Sequence, residues 1–254
     1  AYYEPFVGSG AVYFHLYGLK MNGELGNSMT KVHLSDSNHE LMNCYHVIRD
    51  RVNDLAVSLA AHKTNHSKTH YYEVRSQDTG SLNNVQRAAR FIYLNKTCFN
   101  GLYRVNSKGL YNVPMGKYKN PAILNVITLA NVRAALHGVE LKIQNFKKVL
   151  EHAKSGDFVY FDPPYHPLTS TSNFTNYTKD SFGEKQQREL ADTVRELDRK
   201  GCKVMVSNSW TPLILNLYKH FDLKEVKASR IINSKSEKRG KISEVVVLNY
   251  ESVK

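Results

Sequence analysis

Apolar residues fall into two patterns along this chain. Some form runs of three to five that end abruptly at Asp, Gly or Pro; others recur every third or fourth position over longer stretches. The first pattern predicts buried strands and the second amphipathic helices. Residues 1–53 read as strand, glycine turn, helix, strand and helix. Gly8-Ser9-Gly10 is the turn, Ala11-Val12-Tyr13-Phe14 opens the helix, and residues 21–30 are polar enough for a loop. Val32-His33-Leu34-Ser35-Asp36 is a short buried strand. The next helix spans residues 40–52; Asp36 or Ser37 could cap it, or the role could fall to a neighbour. From residue 54 to 137 the pattern is mainly helical. Its clearest helix is Val85-Gln86-Arg87-Ala88-Ala89-Arg90-Phe91-Ile92-Tyr93-Leu94-Asn95, apolar on one face and basic on the other. Asn106-Ser107-Lys108-Gly109 is a turn between short extended pieces, hence a hairpin or loop. Strand–helix alternation then resumes, with strands at residues 139–143, 158–161 and 203–207. Helices follow at 181–199, where Ser181 caps and Glu184 closes a capping box, and at 210–220. Residues 221–229 and 242–250 close the chain as an antiparallel pair around a polar linker, 233–240. The fold class implied is α/β, a mostly parallel sheet with helices on both faces. Residues 1–53 and 138–254 form one domain, and 54–137 are inserted in it. No internal repeat is visible.

The charge changes what that insertion is for. The 254-residue chain carries a net charge of +12, and residues 54–137 hold eleven Lys and Arg against three Asp and Glu. A basic soluble surface would give the same imbalance, but the interleaved aromatics favour a polyanionic partner, nucleic acid above all. Cys44, Cys98 and Cys202 are odd in number and lack Cys-x-x-Cys spacing, which fits reduced thiols in a cytoplasmic protein. No apolar run has the ~20 residues of a membrane helix. His33, His39, His46 and the histidines of residues 62–70 match no metal spacing, so no metal is expected.

The candidate chemistry lies at strand ends. Asp162-Pro163-Pro164-Tyr165 follows directly on Phe158-Val159-Tyr160-Phe161. Two prolines make a stiff turn whose carbonyls are pure acceptors. With one carboxylate and one aromatic face, it suits a planar base bearing an exocyclic amine. A turn cap with a core tyrosine is the structural alternative. Upstream, Tyr2-Tyr3-Glu4-Pro5-Phe6-Val7-Gly8-Ser9-Gly10 offers glycines for close approach and a helix start for polar ligand groups. Asp36 stands where nucleotide-binding α/β folds place the acidic partner of ribose hydroxyls.

Together these segments resemble the Dam-type DNA adenine-N6 methyltransferases (group alpha, D12 class), especially the GATC methylases of DpnII-type restriction–modification systems. Residues 4–10, 34–45, 85–119, 157–177, 204–209 and 239–250 carry the likeness. Its most specific parts are Phe99-Asn100-Gly101-Leu102-Tyr103-Arg104-Val105-Asn106-Ser107-Lys108 and Asn112-Val113-Pro114. The resemblance implies a Rossmann-like class I methyltransferase sheet with an inserted, mainly helical DNA-recognition domain. It implies methyl transfer from S-adenosylmethionine, with S-adenosylhomocysteine as product, to the amine of a flipped adenine in double-stranded DNA, in GATC. Asp162, Pro163, Pro164 and Tyr165 would be catalytic. Glu4, Phe6, Gly8, Gly10, Asp36, Phe146 and Asp162 would surround the cofactor. Phe99, Asn100, Leu102, Arg104, Asn106, Pro114, Lys117 and Asn173 would meet DNA. Phe99 and Asn100 would enter near the vacated base, Arg104 would read a guanine, and Leu102 and Pro114 would touch a thymine methyl.

Two departures stand out. Lys117 replaces an arginine, which keeps charge but loses fork geometry. The family also has a Lys-Trp-x-Gly-Gly-Lys-like segment ahead of the first strand, whereas this sequence starts at Ala1, so a truncated start is expected. Asn173 belongs to a loop, with Phe174 and Tyr177, expected to lie against DNA; Lys235, Lys238, Arg239 and Lys241 are candidate phosphate contacts. A monomer is expected, with a dimer as the alternative. Two other functions fit the residues less well. One is a DNA-binding module with a vestigial cofactor pocket; the other is amine methylation of cytosine, RNA or a protein amide.

Overall fold

The structure, a computed structural model, describes residues 1–26, 29–106, 109–168, 182–229 and 241–251. Its strands are β1 (Tyr2–Glu4), β2 (Val32–Asp36), β3 (Glu140–Ile143), β4 (Phe158–Phe161), β5 (Lys203–Ser209), β6 (Asp222–Ser229) and β7 (Lys241–Leu248). Its helices are α1 (Ala11–Met21), α2 (His39–Asp50), α3 (Val52–Thr64), α4 (Lys68–Ser76), α5 (Asn84–Thr97), α6 (Val126–Leu136), α7 (Glu184–Arg199) and α8 (Pro212–Leu217). The strands form one seven-stranded sheet in the order β3-β2-β1-β4-β5-β7-β6. β7 pairs antiparallel with both β5 and β6, and the other pairings are parallel. This is the mostly parallel α/β sheet, with an antiparallel edge, that the strand–helix alternation predicts. Chain order reverses between β1 and β4, so the crevice for a ligand opens beyond the carboxyl ends of those strands.

Period-two alternation explains why strands this short hold their register. Tyr2 and Tyr160 face one apolar cluster; Tyr3, Val159 and Phe161 face the other. Both faces are covered, so the runs are continuously apolar. α7 seals the second cluster with Leu190, Ala191, Val194 and Leu197, a spacing that puts all four on one helical stripe. The first cluster continues from the sheet into the insertion, through Leu55, Leu59, Tyr71, Ala88 and Tyr93. The expected boundary at residue 54 falls inside the first turn of α3, which packs with the insertion.

Four local details differ from the sequence reading. Neither Asp36 nor Ser37 caps α2: the Asn38 side chain accepts from the amides of Glu40 (3.1 Å) and Leu41 (3.2 Å). The basic face of α5 is not wholly turned outward. Arg87 pairs with Glu40, and the buried Arg90 donates to the carbonyls of Val74 (2.9 Å) and Arg75 (2.8 Å), closing the C-terminus of α4. The N-cap of α7 is Gly183, whose amide donates to Gln186 Oε1 (3.0 Å); Ser181 lies outside the described residues. α8 is shorter than residues 210–220. Pro212 begins it, having no amide to satisfy, and the Trp210 amide is held by Ser243 of β7 (3.2 Å). The linker 233–240 is likewise outside the described residues.

Candidate active site

A cleft of about 470 Å³ opens at the β1/β4 switch point, walled by Glu4, Phe6, Gly8, Asp36, Asp162 and Tyr165, with Pro163, Pro164 and Phe182 among its other lining residues. That volume lies within the ~300–1,000 Å³ range of small-molecule sites. A larger groove of about 980 Å³ runs between α2, α3 and α6 and reaches Val139, at the opposite end of the parallel strands. Position on the sheet favours the smaller cleft.

The β1 loop is built to bring backbone close to a ligand. Gly10 has φ +69°, and a Cβ there would lie 2.6 Å from the Phe14 ring and 2.9 Å from the Tyr45 hydroxyl. That hydroxyl donates to the Gly8 carbonyl (2.9 Å). Gly10 has no side chain to cap α1, and the buried Glu4 carboxylate takes the Tyr13 amide instead. Glu4 also accepts from the Tyr2 hydroxyl (2.7 Å). Burial drives the Glu4 pKa up to about 7, opposed by the Tyr2 hydrogen bond and reinforced by Asp162. Gly10→Ala is expected to destabilise the fold by roughly 2 kcal/mol or more, since the left-handed backbone alone costs an L-residue about 1–2 kcal/mol. Thermal unfolding checks this; an unchanged melting temperature would contradict the tight packing behind the loop.

Asp36 ties two loops together. Its Oδ2 accepts from the Gly8 amide (3.2 Å) and its Oδ1 from the Asn38 amide (2.9 Å). Burial raises its pKa, and these amide bonds oppose the rise.

The turn after β4 carries the second carboxylate. Asp162 is open to solvent through the cleft mouth, but protein crowds most of its carboxyl. This desolvation raises its pKa against hydrogen bonds from Ser207 and Tyr165. The Ser207 hydroxyl lies 2.5 Å from Asp162 Oδ1 and 3.1 Å from the Tyr160 hydroxyl. The Pro164 carbonyl accepts from Gln187 Nε2 (2.8 Å). Phe146 does not reach the cleft wall. It is buried behind Phe6, ring centroids 5.3 Å apart, and supports that ring.

The expected hairpin is present in the insertion. Bridges join Cys98 to Met115 and Val105 to Tyr111, and the Asn112 amide donates to the Arg104 carbonyl (3.1 Å). Asn106 Oδ1 accepts from the Leu110 amide (3.0 Å) and helps close the turn. Asn100 holds φ +55°, a rare left-handed conformation for a non-glycine, and Asn95 Nδ2 braces the next residue through the Gly101 carbonyl (2.9 Å). Phe99 and Leu102 are 50% and 41% exposed, too much for core residues. Pro114, Arg104 and Lys117 are exposed beside them. Asn173, Phe174, Tyr177, Lys235, Lys238 and Arg239 lie outside the described residues, and the side chain of Lys241 is not described.

The family model of D12 class N6 adenine-specific DNA methyltransferases matches residues 1–232. The chain belongs to that family. It is 42% identical to the type II methyltransferase M1.LlaDCHI of Lactococcus lactis subsp. cremoris over 255 residues, covering 98% of this chain and 86% of the relative. It is 43% identical to the type II methyltransferase M.MjaIII of Methanocaldococcus jannaschii, covering 98% and 88%. It is 32% identical to the DNA adenine methylase of Escherichia coli K12, covering 96% and 84%. The chain is thus an adenine-specific DNA methyltransferase, of the Rossmann-like architecture described above.

For a D12 methyltransferase the grouping of side chains is informative. Glu4, Phe6, Gly8, Asp36, Asp162, Pro163, Pro164 and Tyr165 meet at one cleft. Gly10 stands just behind it, at the start of α1. The hairpin gathers Phe99, Asn100, Leu102, Arg104, Asn106 and Pro114, with Lys117 just beyond it. Sequence reasoning missed Tyr2, Tyr45, Gln187, Ser207 and Asn208, which hold the loops of the cleft. Polar residues at otherwise apolar positions of β5 and α7 were the available signal. No cluster of His, Cys, Asp and Glu able to hold a metal, and no helix able to cross a membrane, occurs among the described residues. All three cysteines are free and buried.

Proposed function

We propose that this methyltransferase moves the methyl group of S-adenosylmethionine to the N6 amine of adenine in GATC, within double-stranded DNA of the cytoplasm in a bacterium or phage-infected cell. The observation that carries the reading is the convergence of Asp36, the Gly8 loop and the Asp162 turn on one cleft. The residues present fit that cofactor. Asp36 offers buried acceptors for ribose hydroxyls, Phe6 and Phe182 offer apolar ring surface, and Glu4 and Asp162 favour a cationic centre. When bound, S-adenosylmethionine supplies an electrophilic methyl on a sulfonium.

The chain's own residues do the rest. Asp162 and the Pro163 carbonyl accept the two amine hydrogens of the adenine and direct its lone pair at the methyl carbon. Tyr165 stacks on the extruded ring, which offsets part of the few kcal/mol that flipping costs. Placement of the two reactants supplies much of the rate. The insertion of residues 54–137 serves as target-recognition domain. Phe99 and Asn100 enter the duplex near the vacated base, Leu102 and Pro114 meet a thymine methyl, and Lys117 meets phosphate.

The test is transfer of labelled methyl from S-adenosylmethionine to matched duplexes, one containing GATC and one with its adenine replaced. Label on the GATC duplex alone is the expected result. Label on both would discard the site, and label on neither, with no cofactor bound, would discard the cofactor reading.

A further inference from the structure

Gln187 of α7 and Asn208 of β5 are both fully buried, 0% exposed, in a neighbourhood otherwise sealed by Leu190, Val194, Val206 and Val245. Two amide side chains at such positions cost stability unless every polar atom finds a partner. Here the partners lie on the turn after β4. Gln187 Nε2 donates to the Pro164 carbonyl (2.8 Å). Asn208 Nδ2 donates to Gln187 Oε1 (3.0 Å). Asn208 Oδ1 accepts from the amides of His166 (3.0 Å) and Ser209 (2.9 Å). The chemistry fixes both amide orientations. Pro164 offers only an acceptor, so a nitrogen must face it, and the two backbone amides at the other end require an oxygen.

The two side chains therefore form one relay that grips the turn on both sides of Tyr165, by the carbonyl before it and the amide after it. The relay also turns the Pro164 carbonyl into the protein interior. We propose that Gln187 and Asn208 are positioning residues. They fix the direction of the turn so that Asp162 and the Pro163 carbonyl alone face the base, and they set the plane of the Tyr165 ring. Neither touches substrate. The inference rests on the assignment of Asp162 to Tyr165 as the base-holding turn.

Gln187→Met keeps length and apolar packing but loses the donor to Pro164. In single-turnover methyl transfer by the intact protein, its rate is expected to fall about 10- to 100-fold, the scale of a misplacement near 1 Å. Its dissociation constants for S-adenosylmethionine and GATC duplex should stay within about threefold of wild type. Gln187→Glu supplies a second readout. A protonated carboxyl can donate to Pro164 and accept from Asn208, as the amide does. Its rate relative to wild type should therefore be near unity at acid pH and fall as the buried carboxyl ionises. Should the Met variant fail to fold, the Glu variant carries the test alone. A Met variant with the wild-type rate, or a Glu variant whose relative rate stays depressed at acid pH, would overturn the clamp. Asp162→Ala run alongside separates the two ideas. If that variant keeps full turnover, the turn itself does not hold the base; if it is dead while Gln187→Met is normal, only the clamp falls.

Discussion

Asp162→Ala is expected to lower the rate of methyl transfer at saturating cofactor and DNA by at least about 10²–10³-fold, the scale for losing one preorganised electrostatic partner of a transition state. Binding of both ligands should persist, because Asp36 and the Gly8 loop hold one side of the cleft without Asp162. The geometry supports so large an expected effect for one carboxylate. Ser207 holds Asp162 Oδ1 (2.5 Å), and the same hydroxyl contacts Tyr160, so the carboxyl plane is fixed before substrate arrives. An amine hydrogen then meets an acceptor that needs no reorganisation. The pH profile supplies an independent check. Desolvation raises the Asp162 pKa, and only the ionised form is a pure acceptor. The acid limb of kcat/KM should therefore lie above the ordinary aspartate range, with activity rising as pH increases through it. Asp162→Asn should abolish that limb, and a variant that kept wild-type turnover would remove the carboxylate from the chemistry.

What the sequence made legible follows from how local each signal is. Asp162-Pro163-Pro164-Tyr165 could be placed at a strand end because two prolines fix their own backbone, whatever surrounds them. The helix over residues 84–97 and the hairpin after it were legible for the same reason: apolar spacing and turn residues are read over a few positions. Apart from helix ends, the differences are contacts between segments distant in sequence. Arg87 and Arg90 read as the basic face of an amphipathic helix, yet Arg87 pairs with Glu40 of α2, and Arg90 closes α4 from sixteen residues away. Asp36 has the chemistry of a helix cap, but the Gly8 amide, twenty-eight residues upstream, claims one of its oxygens, and Asn38 caps instead. The resemblance puts Phe146 against the cofactor, and in the structure its ring stacks on Phe6, which lines the cleft. A polar residue on an apolar stripe marks Gln187 and Asn208 in the sequence, but not their partners, which are the orphan carbonyl and amide of a turn twenty or more residues upstream of both.

Arg104→Ala is expected to relax discrimination at one guanine of the target by about 10- to 100-fold, since a bidentate arginine–guanine contact is worth roughly 1–3 kcal/mol. Arg104 Nε donates to Asn112 Oδ1 (2.7 Å), a residue of the facing hairpin strand. That bond uses the Nε edge of the guanidinium, and Phe99 and Leu102 of the same hairpin are exposed. Arg104 is itself exposed, so DNA reaches it without rearrangement of the core. Arg104→Lys should not restore discrimination, because an ammonium has no fork to match O6 and N7 of guanine. The measurement is kcat/KM on GATC and on duplexes in which each guanine in turn is replaced. Relaxed preference at a single position, with the other positions still read, is the expected pattern. A phosphate contact would give the opposite one: uniform weakening on every duplex and a salt dependence of binding shallower by about one charge.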